Sequence, residues 1–174
     1  MLDHATRRAQ ELDESLDAQA AMMMLPSFRK VLTGIRVYLQ RQNAGSGGKN
    51  NVHAILRTAT SGDRGIITLG PQFDKGPTDC HYYTRSGGRL SFGITLRDQN
   101  GRCSLIAYRF HFHLGTNAAP GFYRFDLNDR AHSNPLLEPR SHLHVGRDNI
   151  RLPVPVLSPL AVLDRIFYVI ESAI

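Results

Sequence analysis

Two His-x-His pairs carry the most unusual chemistry in this chain: His111-Phe112-His113 and His142-Leu143-His144. Residues two apart on a strand point to the same side, so each pair converges on one face. Three chemistries fit that arrangement. Imidazoles with pKa near 6.5 can take a proton from a ribose 2′-hydroxyl and return one to the leaving oxygen. On that reading His142 and His144 are the acid and base, His111 or His113 assists, and Asp126 orients an imidazole by hydrogen bond. Alternatively His111, His113, His142 and His144 ligate zinc or another divalent metal, since neutral imidazole is a common nitrogen ligand. The third reading is a polar, histidine-rich sheet surface, which is ordinary in antiparallel sheets.

Neighbouring charges favour phosphate over metal. Arg109 shares a strand face with His111 and His113, while Arg140 and Arg147 flank the second pair. Guanidinium groups beside a metal oppose its binding, but beside a phosphodiester they stabilise developing negative charge. Arg109, Arg140 and Arg147 are therefore the expected phosphate contacts, and no cofactor is expected on this reading. The nearest carboxylates in sequence are Asp126 and Asp129, few for a hard-metal shell. Tyr82, Tyr83, Tyr108 and Tyr123 offer either stacking faces for unpaired bases or core packing. GxSxG, HExxH, P-loop and Rossmann signatures are absent.

These residues need strands to hold them, and the turn signals supply strands from residue 52 onward. Val52–Thr58 and Gly65–Leu69 read as a hairpin around Ser61-Gly62-Asp63-Arg64. A loop from Gly70 to Cys80, with Pro71 and Pro77, leads to a short strand at His81–Thr84. Arg89–Asp98 and Ser104–Leu114 alternate clearly, with Leu90, Phe92, Ile94 and Leu96 facing Ile106, Tyr108, Phe110, Phe112 and Leu114. A two-residue Asn100-Gly101 turn would set Phe92 opposite Arg109. A three-residue loop is therefore expected, pairing Ile94 with Ile106, Phe92 with Tyr108 and Leu90 with Phe110. Phe122–Asp126 follows a turn around 115–121. After a long loop containing Pro135 and Pro139 come Ser141–Val145 and an extended Ile150–Leu157, which Pro153 and Pro155 confine to a sheet edge or a loop.

Helices bracket this β body. Residues 1–24 carry a thin stripe of Leu2, Ala5, Ala9, Leu12, Leu16 and Met23; Pro26 ends it, and Ser27 caps a second helix to Gln42 with Phe28, Val31, Leu32, Ile35 and Leu39 on one face. Asn43–Asn51 reads as a flexible linker by composition. Ser158 and Pro159 open a terminal helix whose apolar stripe is wider than one sheet contact needs. The expected organisation is one domain: a helical lead-in at 1–42, a linker at 43–51, an antiparallel β body at 52–157 and a helix at 158–174. The class is α+β, with the sheet flanked by an N-terminal helical pair and a C-terminal helix. The wide stripe of the last helix and the thin one of the first predict a homodimer.

Composition narrows the function classes. The chain has 174 residues, 41% hydrophobic and 21% charged, enough for a real core and unlike disordered or fibrous chains. No apolar run approaches the roughly 20 residues of a membrane span, and the polar N-terminus does not read as a signal peptide. Two cysteines, Cys80 and Cys103, lack CxxC or other metal-like spacing, and the expected location is a reduced cytoplasm. Twenty-one Lys+Arg against 15 Asp+Glu give a net charge of +6, and the pI is 9.7, compatible with nucleic acid as partner.

The C-terminal segments resemble the TumE-type toxins of bacterial toxin–antitoxin modules. The resemblance lies in Phe125-Asp126-Leu127-Asn128, Ser141-His142-Leu143-His144-Val145-Gly146 and Ser158-Pro159-Leu160, and covers residues 123–174. Leu127 separates Asp126 from Asn128, and a longer loop precedes the histidines, unlike the family pattern. What the resemblance implies is an RNA-directed, growth-inhibiting toxin with an antitoxin protein partner. Together with the basic pI and the histidines among arginines, the expected activity is metal-independent endoribonuclease, as a toxin or a phage-defence component, with a non-catalytic nucleic-acid- or protein-binding module and a small His-ligated metal enzyme as alternatives.

Overall fold

The computed structural model describes residues 4–45, 47–70, 81–115, 119–132 and 139–173. Cys80, Pro71, Pro77, Pro135 and Leu2 lie outside the described residues. The architecture is α+β, as the patterning predicts. Helices α1 (His4–Met22) and α2 (Phe28–Gly45) lead in, separated by a two-residue strand β1 (Met24–Leu25). A short helix α3 (Val52–Ile55) precedes β2 (Leu56–Ser61), β3 (Arg64–Leu69), β4 (Tyr82–Tyr83), β5 (Arg89–Gln99), β6 (Arg102–His113), β7 (Phe122–Leu127), β8 (Ser141–Val145) and β9 (Leu152–Pro153). Helix α4 (Pro159–Asp164) then passes into a π-helical stretch, Arg165–Ile170, and a 3₁₀ turn, Glu171–Ala173. Among the described residues no helix is long and apolar enough to cross a membrane.

The sheet is antiparallel throughout, in the order β2-β3-β5-β6-β7-β8-β9, with β1 on β6 and β4 on β5. One face is apolar: Ile67, Leu69, Leu90, Phe92, Ile94, Tyr108, Phe110, Phe112, Phe125 and Leu127 are buried there. The same core takes Val31, Ile35 and Leu39 from α2 and Val162, Leu163, Ile166 and Phe167 from the C-terminal helical segment. Gly65 keeps β3 close to α2, since a Cβ there would stand 2.4 Å from the Phe28 ring. Tyr82 and Tyr108 belong to this core, not to a stacking surface: Tyr82 donates to the Leu39 carbonyl at 3.1 Å, and the Tyr108 hydroxyl accepts from the Leu157 amide at 3.4 Å.

Three sequence expectations are corrected. The β5–β6 connection is a two-residue turn, with Gln99 opposite Arg102 and both Asn100 (φ 55°) and Gly101 (φ 81°) left-handed, as the Asn-Gly pair favours. The face is preserved by a β-bulge between Thr95 and Leu96, which pair with Ala107 and Leu105 and leave Ile106 as the extra residue. Beyond the bulge Ile94 faces Tyr108, Phe92 faces Phe110 and Leu90 faces Phe112, not Ile106, Tyr108 and Phe110. Second, the hairpin begins at Leu56; Asn51 caps a helical turn over the preceding four residues, its side chain accepting from the Ala54 amide at 3.2 Å. Third, the last helix is α only to Asp164.

Helix α2 runs through Gly45, three residues further than its apolar pattern suggests. The end of the glycine-rich segment is held by amides. Asn50 donates to the Asn43 side chain and to the Tyr83 carbonyl, and accepts from the Tyr83 amide at 2.7 Å. In the C-terminal segment Ile166 is buried, but Tyr168 and Val169 are exposed.

Candidate functional site

The functional side chains sit on the other face of the sheet, and the register assembles them into rows. One row crosses six strands: Arg57, Thr68, Gly93, Arg109, Asp126 and His142. The next holds Ser91, His111, Arg124 and His144, and a third pairs His113 with Phe122. All four histidines of the His-x-His pairs therefore share one sheet face, with β7 between them. They divide into two groups of different character.

Asp126 centres the first group. It is buried on β7, and its two oxygens accept from two guanidiniums: Oδ1 from Arg109 Nε at 3.0 Å and Oδ2 from Arg124 Nε at 2.8 Å. The Nε2 atoms of His144 and His142 lie 3.4 and 3.6 Å from Oδ2. Arg124 spans the cluster, with Nη1 on Asp148 at 2.6 Å and Nη2 on His144 Nε2 at 2.8 Å. A guanidinium only donates, so His144 Nε2 accepts and its ring is neutral. His142 donates from Nδ1 to the Pro139 carbonyl at 2.6 Å, a carbonyl being acceptor only. Burial, and then the Arg124 charge, push the His144 pKa below its ordinary value despite Asp126. His142 and His144 are 1% and 0% exposed, a position from which neither ring touches a substrate in this conformation.

The second group is half-buried, and His111 Nε2 itself is out of contact with solvent. His111 and His113 stack with ring centroids 4.1 Å apart, and Phe122 packs edge-on to His111 at 5.0 Å. Burial, then the His113 and Arg124 charges, lower the His111 pKa to about 4. Burial and Arg89 lower that of His113. Both rings are neutral at pH 7. Beside them Arg109 is 44% exposed, with its Nε on Asp126.

The expected phosphate contacts separate in space. Arg109 is on the face. Arg140 is buried: its guanidinium pairs with Asp17 of α1, and its backbone amide donates to Asp13 at 2.9 Å. The acidic side of α1 consumes that charge, a partnership 123 residues away in sequence that no local pattern reveals. Arg147 is exposed in the loop after β8. The four-histidine metal set is likewise not what forms. Among the described residues the group with metal-ligand spacing is Asp126, His142 and His144, whose donor atoms lie within 4.8 Å of one another.

Arg124 is the residue that sequence reasoning passed over. Its signal was present, because it stands two residues before Asp126 on the same strand and so shares its face. Further along the open face are Arg64 and Arg97, paired with Asp129 at 3.9 Å and Asp63 at 3.2 Å. Between the arginines lie small side chains, Thr68, Gly93, Thr95 and Ala107, which floor a groove of ≈ 360 Å³ reaching Arg109 and Asp126. No protein-family model, curated protein or solved structure matches the chain.

Proposed function

We propose that this chain binds single-stranded RNA along the open face of its sheet. The observation that carries the reading is a small-residue groove reaching Arg109, with Arg57, Arg64 and Arg97 elsewhere on the same face and an aromatic cluster beside it. Arg57, Arg64, Arg97 and Arg109 present guanidiniums to solvent across four strands. The ion pairs of Arg64 and Arg97 lie at the surface and are weak enough to exchange for phosphates. His111, His113 and Phe122 offer ring faces on which unpaired bases stack. The net charge of +6 supplies the long-range attraction.

A catalytic version of this reading, an endoribonuclease toxin controlled by an antitoxin, is supported by the His111–His113 stack beside Arg109. A neutral ring there accepts the 2′-hydroxyl proton, and its neighbour, protonated once a phosphate anion lies beside it, protonates the leaving oxygen. His142 and His144 then shape the site through Arg124 and Asp126 rather than touching RNA.

Fluorescence anisotropy with a labelled single-stranded RNA tests the binding claim. Micromolar binding is expected, and the Arg64→Gln/Arg97→Gln double variant weakens it about tenfold. It also flattens the log–log salt slope by about 1.4, at about 0.7 per phosphate contact. Equal affinity and slope for both proteins refutes the claim. Incubating the same RNA with pure protein and with His113→Ala decides the catalytic version, which requires cleavage by the first and none by the second.

A further inference from the structure

Besides the RNA face, the buried cluster has the arrangement of a metal site. Asp126 and His142 are directly opposite on β7 and β8, and His144 follows two residues on, so three donors project from neighbouring strands towards one point. Both imidazoles aim Nε2 at Oδ2 of Asp126, at 3.6 and 3.4 Å. Ligands held about 2.0–2.1 Å from a tetrahedral ion stand about 3.3–3.4 Å from one another, so the two separations from Asp126 already approximate edges of a ligand shell, and all three donors lie within 4.8 Å. The outer contacts of two of the three donors match as well. His142 is oriented by its Nδ1 bond to the Pro139 carbonyl at 2.6 Å, and the second Asp126 oxygen is held by Arg109 at 3.0 Å. Metal-binding imidazoles and carboxylates are characteristically fixed in this way by backbone carbonyls and side-chain donors.

The guanidinium of Arg124 now lies against these acceptors, 2.8 Å from both His144 Nε2 and Asp126 Oδ2. It is a cation satisfying a cation site. It also has somewhere to go, because its Nη1 is already on Asp148, a carboxylate 74% exposed.

We propose that Asp126, His142 and His144 form a divalent transition-metal site that Arg124 closes when no ion is bound. Two imidazoles and one carboxylate suit Zn²⁺ or Fe²⁺ and leave a position open on the Arg124 side. Asp126 carries the charge that attracts the ion, the imidazoles set its softness, and Arg124 competes with it. His111 and His113, stacked on β6, take no part. The proposal is independent of RNA binding, and its test involves no RNA.

The test is Zn²⁺ titration of the full-length chain against a chelating dye, with Co²⁺ absorption as a second readout. The wild type is expected to take one equivalent, and Arg124→Gln to bind at least tenfold more tightly, because a competing cation has gone. Co²⁺ is expected to give the visible bands of a low-coordinate nitrogen–oxygen site, lost in His144→Ala. Arg124 is partly exposed, so its variant keeps the test decisive even if His144→Ala does not fold. No binding by either the wild type or Arg124→Gln overturns the proposal. So does weaker binding by Arg124→Gln, or one equivalent that persists in a folded His144→Ala.

Discussion

Replacing Asp126 by Asn should be among the most costly isosteric changes in this chain. The carboxylate is buried and compensates two guanidiniums at 3.0 and 2.8 Å, with two imidazole nitrogens close by. Asn keeps the shape but removes the charge and turns one acceptor into a donor facing donors. Removing one partner of a buried pair costs about 3–5 kcal/mol, because the remaining charge stays desolvated. Two features reduce that figure. Arg109 is 44% exposed, so its share is close to a surface pair, at about 0–1 kcal/mol, and Arg124 retains Asp148. The expected loss is therefore about 3 kcal/mol, most of it from Arg124. Urea unfolding followed by far-UV circular dichroism measures it: with a slope of about 2 kcal/mol/M, the midpoint falls by about 1.5 M. Asp148→Asn is the control, since an exposed carboxylate on the same guanidinium should cost about 0.5 kcal/mol or less. If the two variants shift the midpoint equally, Asp126 is not the electrostatic centre of the cluster.

Other expectations follow from the same contacts. Because burial lowers the His111 pKa to about 4 in the folded chain, the unfolded chain binds the extra proton first as pH falls. Stability is thus full above about pH 6.5 and declines between there and pH 4, by about 1 kcal/mol at pH 5 after discounting for partial exposure. Thermal melts at pH 7.5 and 5.0 check this, and a His111→Gln variant with an unchanged difference contradicts it. Gly65→Ala places a methyl 2.4 Å from the Phe28 ring, and overpacking of this kind costs about 1–3 kcal/mol in calorimetric or urea unfolding; a neutral result would mean that the α2–β3 contact yields freely.

How far the sequence reveals this arrangement depends on how local the cause is. Strand β8 is legible residue for residue, because Ser141–Val145 alternates His and aliphatic side chains between a proline-rich loop and Gly146. The same period-2 logic puts each His-x-His pair on one face, but that the two pairs share a face rests on the pairing of β6, β7 and β8. The bulge at Ile106 does not. Alternation through 104–114 looks continuous, and only pairing with β5 shows that the Asn-Gly turn and the apolar face are reconciled by an extra residue. The sealing of His142 and His144 is hidden for a related reason: alternation assigns a side chain to a face but says nothing about what covers that face. The diversion of Arg140 to Asp17 needs the placement of α1, which is set by tertiary packing.

Photo-crosslinking shows directly whether RNA lies on the open sheet face. A single-stranded RNA carrying 4-thiouridine is irradiated with the protein, and the adducts are mapped by mass spectrometry. Adducts are expected on the face-lining positions of β3, β5, β6 and β7, concentrated near Thr68, Arg109, His113 and Phe122. Adducts confined to the exposed sides of α2 and the 159–173 helical segment, with none on those strands, would contradict binding on that face.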